Sequence, residues 1–320
     1  MIVDHIGRRF RNLRVSLTAA CNYACTYCVP DGKRLMQARH ELDGEQMLQA
    51  VRLVVAAAGI DKVRITGGEP LLSSKFDEFL NGVTQLGLSD VSVTTNGQFL
   101  ERHMDVISRN LRRINISLDT LRAERFRRIA RSGDLPTVLG GIDACLEAGM
   151  KVRVNMVPLR RSNGDELLEM LEYCLDRGVE LRYIELMRMG HLAHDAGFNA
   201  DFIGMEEILN QIGARYEFER TDAPFDSTAV RFAIPDRGTF GIIANESEPF
   251  CSSCTRLRLS SDGHLFGCLS NSRSHAMADL LEMPEHLALV RLQQILMRAL
   301  GDKQTVAFTG GETVMKFIGG

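Results

Sequence analysis

Between residues 13 and 186, short β-branched runs alternate with amphipathic helical segments at nearly regular intervals, and this alternation limits the fold more than any other feature. Strands are expected at 13–18, 62–66, 90–95, 113–118, 151–156 and 181–186. Helices are expected over 43–58, 75–85, 101–110, 123–130, 137–148 and 165–177. Repeated strand–helix units of this length build parallel sheets. Six units are present where a closed barrel of this kind has about eight. The expected class is therefore α/β, a partial (β/α)6 TIM-like barrel rather than a doubly wound sheet.

Alternate side chains of a strand point to opposite faces, so the parity of polar residues tests that choice. Arg14, Ser16 and Thr18 share one side of the first run, and Lys62, Arg64 and Thr66 share one side of the second. Ser92 and Thr94 continue the pattern, as do Arg113, Asn115, Ser117 and Asp119, then Arg153 and Asn155; the sixth run breaks it. Val, Ile and Leu occupy the other side. A closed small barrel fills its interior with such apolar residues. An interior of Arg, Lys, Asn, Ser and Thr implies an open lumen that holds something polar or anionic.

After about residue 190 the alternation stops, and 215–219, 229–234 and 239–244 read as antiparallel strands. The chain is accordingly divided into a barrel, 1–190, and a smaller α+β region, 191–320, that closes its mouth and carries a second cysteine group. With 38 Lys and Arg against 41 Asp and Glu, the net charge is −3. No global basic field recommends nucleic acid, so any anion site must be local. The longest apolar stretch, 53–60, is too short for a bilayer, and no export signal is visible. A cytoplasmic protein is expected, in which grouped cysteines bind metal more readily than they form disulfides.

Of the eight cysteines, Cys145 and Cys174 lie among apolar residues in helical patterns and read as core. The others form two triplets, Cys21, Cys25 and Cys28, then Cys251, Cys254 and Cys268. Each triplet is one ligand short of a closed cysteine-only site. Three thiolates on a 4Fe–4S cube leave one iron free for an outside ligand. For the second triplet a closed zinc site competes, because His264 lies between Cys254 and Cys268.

Cys21-x3-Cys25-x2-Cys28 directly after the first strand, with Tyr27 before the last cysteine, resembles the signature of the radical S-adenosylmethionine (SAM) superfamily. Thr66-Gly67-Gly68-Glu69-Pro70 at the end of the second strand resembles the motif by which that superfamily holds the SAM amino group; glycine lets backbone approach a ligand closely. End to end, the chain resembles the GTP 3′,8-cyclase family of molybdenum cofactor biosynthesis. Leu13-Arg14-Val15-Ser16-Leu17-Thr18, Thr94-Thr95-Asn96-Gly97, Arg182-Tyr183-Ile184-Glu185-Leu186-Met187, Cys251-Ser252-Ser253-Cys254-Thr255-Arg256-Leu257-Arg258 and the final Gly319-Gly320 stand in the family's order.

The resemblance implies a radical SAM lyase that converts GTP to (8S)-3′,8-cyclo-7,8-dihydroguanosine 5′-triphosphate, the first step of molybdopterin biosynthesis. An electron from the first cluster would cleave SAM to methionine and a 5′-deoxyadenosyl radical, which takes hydrogen from the ribose 3′ carbon. Tyr27, Gly67, Gly68, Glu69, Ser117, Arg182 and Met187 would hold SAM. Arg14, Lys62, Arg64, Thr95, Arg153, Arg256, Leu257 and Arg258 would hold GTP, with Arg14, Arg64, Arg256 and Arg258 as the catalytic set. The open iron of the second cluster would take the guanine base. Implied cofactors are two 4Fe–4S clusters and SAM. Implied partners are an electron donor such as flavodoxin or ferredoxin and the downstream cyclic pyranopterin monophosphate synthase, with no nucleic acid or membrane, the chain itself being a monomer or homodimer.

The physical reading of the basic residues agrees, since desolvating a triphosphate without cationic donors would be prohibitive. Arg14, Lys62 and Arg64 share the expected inner face, Arg256 and Arg258 lie two apart on a strand, and Arg153 can join them as an anion cradle. Arg122, Arg125, Arg127, Arg128 and Arg131 read as an exposed helix face, and His191 and His194 as plain loop residues. The sequence departs from the family at Ala19-Ala20, at 72–75, at Arg153 where lysine is usual, and in a tail at 308–320 that lacks a basic, His-rich approach to the double glycine. In the family this tail enters the active site. Two other readings are a radical SAM enzyme acting on a peptide or other small molecule, and a zinc-bearing binding protein without catalysis; metal identity separates the latter.

Overall fold

The computed structural model describes residues 2–30, 40–224 and 227–311. The six β-branched runs form β1 (Asn12–Ser16), β2 (Lys62–Thr66), β3 (Asp90–Thr95), β4 (Arg113–Ser117), β5 (Lys151–Met156) and β6 (Glu180–Ile184). All are parallel and pair in chain order. The intervening helices are α1 (Gly44–Ala58), α2 (Phe76–Thr84), α3 (Leu100–Asn110), α4 (Ala123–Ala130), α5 (Leu135–Glu147) and α6 (Leu167–Asp176).

Local chemistry sets their ends. Asp43 and Gln46 form a capping box at the start of α1, with Gln46 N donating to Asp43 Oδ1 at 2.8 Å and Asp43 N to Gln46 Oε1 at 3.0 Å. Gly59 ends the helix with φ at +67°, a conformation open to glycine. Asp134 caps α5, whose first turn carries Pro136. The inward stripe of α1, Met47, Ala50, Val51 and Val54, is wholly buried with Leu13, Val15, Val63 and Ile65 of the sheet. The core therefore lies between the helices and the outer face of the sheet, which leaves the polar face of each strand for the lumen.

The rest of the chain forms α7 (Phe198–Asp201), α8 (Met205–Gly213), β7 (Glu219–Thr221), β8 (Val230–Ile234), β9 (Gly238–Ile243), β10 (Arg256–Leu259), β11 (His264–Phe266), β12 (His275–Ala276), α9 (Ala278–Leu281) and α10 (Glu285–Gly301). These strands do not form a separate sheet. β9 pairs parallel with β6 and β10 pairs parallel with β1, giving one 12-stranded sheet ordered β12-β11-β10-β1-β2-β3-β4-β5-β6-β9-β8-β7. Both edges of the barrel strands are thus covered from the C-terminal region, while the sheet stays open.

Three expectations need correction. β6 starts at Glu180, which puts Glu180 and Arg182 opposite the buried Leu181 and Tyr183, and the alternation breaks only at Ile184, which lines the lumen beside Arg182. The strand expected at 215–219 begins only at Glu219, because α8 and its closing turn occupy the residues before it. Arg125 is not on a freely exposed face; it pairs with Asp165 and with the buried Glu166, which also accepts from Thr120 Oγ1 and Leu121 N. No helix among the described residues is long and apolar enough to cross a membrane.

Candidate active site

The inner faces of the strands enclose two adjoining cavities of about 250 and 330 Å³ that share Arg14, Arg64, Arg182, Thr228 and Arg256. The first opens at the C-terminal ends of β1 to β6, and the second reaches toward their N-terminal ends. Cys21, Cys25 and Cys28 all line the first cavity, on the loop that follows β1. Ala24 N donates to Ala130 O and Thr26 N to Ile129 O, each at 3.0 Å, so the end of α4 holds this loop. His191, expected to be a plain loop residue, donates from Nε2 to Thr26 O at 3.1 Å.

The turn after β2 locks against the same loop. Gly68 N donates to Thr18 O at 2.7 Å and Glu69 N to Ala20 O at 2.8 Å. The approach is so close that a Cβ on Gly68 would stand 2.1 Å from Ala20 O. Glu69 is 1% exposed and fully partnered: Thr95 Oγ1 and Leu71 N donate to Oε1 and Asn96 N to Oε2. Burial pushes its carboxyl up to about 7. Tyr27 donates to Asp119 Oδ2 at 2.7 Å, and burial raises that carboxyl to about 6. Tyr27, Gly67, Gly68, Glu69, Ser117, Arg182 and Met187 all line this first cavity, as does Thr95, whose hydroxyl is engaged with Glu69.

Deeper in, the lining becomes cationic. Arg14, Lys62, Arg64, Arg113, Arg153, Arg182, Arg231 and Arg256 surround the second cavity, with Asp90 the acidic side chain among its lining. In the sheet register Arg14 lies directly beside both Arg258 and Arg64. Burial and the neighbouring Arg258, Arg64 and Arg256 hold the Arg14 guanidinium well below its ordinary range. Burial and like charges bring Arg64 to about 9, and Arg153 and Arg258 to about 10. Arginine stays charged near neutral pH even so. Arg64 Nε, Arg113 Nη1 and Arg231 Nε are buried without an acceptor. Unsatisfied donors of this kind cost about 1–3 kcal/mol each. Leu257 needs correction as a substrate-facing side chain: it is wholly buried and lies beside Leu13, on the face opposite Arg256 and Arg258.

The second cysteine group sits where β10 and β11 meet the end of α10. Cys251 and Cys254 bracket a tight turn before β10, and Cys268 follows β11. Lys303 Nζ, almost fully buried, donates to Cys254 Sγ at 3.1 Å, to Arg256 O at 2.9 Å and to Gly267 O at 3.0 Å. Arg8 Nη1 donates to Cys251 O at 2.7 Å and to Gln304 O at 2.6 Å. Burial drives the Cys254 thiol up, but Arg256 and Lys303 outweigh it and bring it down to about 6. The Arg256 guanidinium also stacks 4.5 Å from the Phe250 ring centroid, which fixes its direction. No cysteine is in a disulfide. Among the described residues no three His, Cys, Asp or Glu side chains converge closely enough for a single metal ion, and His264 Nδ1 is 3.2 Å from Asp262 Oδ1.

Sequence reasoning overlooked several of these residues. Arg113 was on the expected inner face and parity alone could have placed it at the site. Arg231 carries no such signal, because β8 joins the barrel strands through the pairing of β9 with β6, which is distant in sequence, and Thr228 and Lys303 lie outside the strands, before β8 and after α10. Near the end of the described chain Gly190 N donates to Gly311 O at 2.7 Å, beside Met189 of the first cavity. Residues 312–320 of the tail, with Gly319 and Gly320, lie outside the described residues.

Residues 15–174 match the radical SAM superfamily, and residues 179–308 match the family described as Molybdenum Cofactor Synthesis C. A GTP 3′,8-cyclase from Synechocystis sp. is 36% identical over 299 residues, 89% of this chain and 90% of that one. The GTP 3′,8-cyclase of Aquifex aeolicus is 34% identical over 287 residues, 88% and 89% of the two chains. Among solved structures, Streptococcus suis SuiB bound to S-adenosylmethionine shares the fold, with a TM-score of 0.64 at 15% identity over 91% of this chain and 68% of that one. On a barrel half and a C-terminal half that both match, with relatives aligned over nearly their whole length, the chain belongs to the GTP 3′,8-cyclase family of the radical SAM superfamily.

Proposed function

We propose that the chain catalyses the cyclisation of GTP that opens molybdenum cofactor biosynthesis, with SAM in the upper cavity and GTP in the cationic one below it. The observation that carries this reading is the joining of the two cavities. A three-thiol loop and a Gly-Gly-Glu turn open directly onto a lumen lined by eight cations, and Phe250 and Leu269, the chain neighbours of Cys251 and Cys268, line the upper cavity. A polyanionic nucleotide fits such a lining; a peptide has no comparable need for it.

A 4Fe–4S cluster held by Cys21, Cys25 and Cys28 would supply the electron for cleavage of SAM to methionine and a 5′-deoxyadenosyl radical. The protein's part is placement and exclusion of water. Gly67, Gly68 and Glu69 hold the SAM amino end, with Thr95 and Asn96 fixing Glu69. Tyr27, Ser117, Arg182 and Met187 complete that cavity. Arg14, Lys62, Arg64, Arg153, Arg256 and Arg258 take the phosphates and orient the ribose. Cys251, Cys254 and Cys268 would hold a second 4Fe–4S cluster facing the base, with Lys303 and Arg256 favouring the thiolate at Cys254. We further assign the division into 1–190 and 191–320, a flavodoxin- or ferredoxin-type donor, and delivery of product to a cyclic pyranopterin monophosphate synthase.

The test is iron per chain after anaerobic reconstitution, in the wild type and in a Cys251→Ala/Cys254→Ala/Cys268→Ala variant. About eight iron atoms falling to about four is the expected outcome. About four iron atoms with one zinc, only the zinc being lost in the variant, would overturn it.

A further inference from the structure

Three of the arginines that line the cationic cavity share one carboxylate, Glu180, to which neither the SAM nor the substrate assignment gives a role. Glu180 opens β6, and its carboxylate meets guanidinium groups from three strands. Arg182 Nε of β6 donates to Oε1 at 2.7 Å, Arg231 Nη2 of β8 donates to Oε2 at 3.0 Å, and Arg153 Nε of β5 stands 3.4 Å from Oε2. The Glu180 side chain is 12% exposed. Burial favours its neutral form, yet Arg182, Arg153 and Arg231 together keep its pKa below the ordinary value, so the carboxylate is charged at neutral pH.

One negative charge serves three positive ones, and the shortfall is visible. Arg231 Nε is buried without an acceptor, and so are Arg64 Nε and Arg113 Nη1 elsewhere in the same cavity. Arg113 itself already pairs with Asp90. Phosphate oxygens entering this cavity compete with Glu180 for the guanidinium groups it already holds.

We propose that Glu180 is a resident counter-anion, which aligns Arg153, Arg182 and Arg231 before substrate arrives and yields Arg153 and Arg231 to the phosphate chain of the nucleotide. Arg231 then becomes a substrate contact supplied by the C-terminal region, and Glu180 is a positioning residue that acts through it. The inference rests on reading this cavity as the nucleotide site. A carboxylate that merely ties β5, β6 and β8 together would stabilise the fold without influencing anion affinity. A competing anion sets affinity below its maximum.

The experiment is calorimetric titration of inorganic tripolyphosphate and of GTP into the full-length reconstituted protein at several salt concentrations. Glu180→Gln, which keeps the shape and removes the charge, is expected to bind tripolyphosphate about tenfold more tightly, with a steeper fall in affinity as salt rises. Arg231→Gln, which leaves Glu180 two partners, is expected to bind about tenfold more weakly with a shallower salt dependence. Unchanged or weaker binding by Glu180→Gln, at an unchanged melting temperature, makes it a structural tie and overturns the proposal. If Glu180→Gln does not fold, wild-type affinity in Arg231→Gln overturns it equally. Failure of the wild-type protein to bind either ligand would instead overturn the underlying reading of the cavity.

Discussion

Replacing Gly68 by alanine tests whether the turn after β2 and the first cysteine loop form one rigid unit. The added Cβ would stand 2.1 Å from Ala20 O, 2.6 Å from Ala20 C and 2.7 Å from Ala19 O. A carbon–oxygen contact needs about 3.3 Å or more, so one backbone must withdraw by about 1 Å. The opposing atoms are backbone, with no flexible side chain to turn aside. Withdrawal breaks or stretches the bonds from Gly68 N to Thr18 O and from Glu69 N to Ala20 O. Each is worth about 1 kcal/mol net, and overpacking strain adds about 1–3 kcal/mol, which gives a loss of about 3–5 kcal/mol in all. The moving segment ends at Cys21, so the thiol geometry shifts with it.

Thermal unfolding of the iron-free protein, followed by circular dichroism, should show a melting temperature lowered by about 5–10 °C. Iron per chain after reconstitution and SAM affinity should both fall. Gly140, inside α5, is the control, because a Cβ there meets nothing within 4 Å. Alanine at that position should be neutral or stabilising by up to about 1 kcal/mol. A Gly68→Ala protein that melts within about 1 °C of wild type and loads iron fully would refute the argument, since a contact of 2.1 Å cannot be absorbed without movement.

Glu69 gives a dependence on pH. Its folded pKa of about 7 lies above the ordinary 4.5, so its protonated form contributes stability that is full below about pH 4.5 and lost as pH rises through about 7. The loss is roughly 3 kcal/mol, and Glu69→Gln should flatten that part of the iron-free protein's stability profile; an unaltered slope between pH 5 and 8 counts against the assignment. Arg14→Gln should separate stability from binding. Arg14 sits beside Arg258 and Arg64, so removing its charge should leave the melting temperature unchanged or raised by a few degrees while GTP affinity falls about tenfold or more. Calorimetry and unfolding on the same sample check both halves, and a destabilised variant with wild-type affinity would contradict them.

The barrel strands were legible because their polar and apolar residues alternate strictly, and alternation depends on the backbone alone. The limits of β6 were not, since Glu180 precedes the apolar run that marks the strand and gains its meaning from Arg153 and Arg231, 27 and 51 residues away in the chain. Local periodicity carries no information about such partners. The same reason hides Lys303, which reaches Cys254 across 49 residues, and the pairing of β9 with β6 and β10 with β1, which makes one sheet of what reads as two regions. Leu257 shows the opposite failure. A motif read as a block gave Leu257 the role of its neighbours, although the parity that places Arg256 and Arg258 in the lumen sends the residue between them to the core.

That parity also explains why a costly arrangement can persist. Arg258, Arg14 and Arg64 occupy one register row across β10, β1 and β2. Like charges directly opposite one another destabilise a sheet. A slip of β10 by one residue would relieve the row, but it would also turn both of its arginines into the core and Leu257 and Leu259 into the lumen, since side chains alternate strictly. Burying two guanidinium groups costs far more than leaving three in a lumen where an anion can meet them. The apolar side of β10 therefore fixes the register, and the register in turn brings the C-terminal arginines beside Arg14. Neither region can assemble this row alone, so a substrate held by it must bridge both.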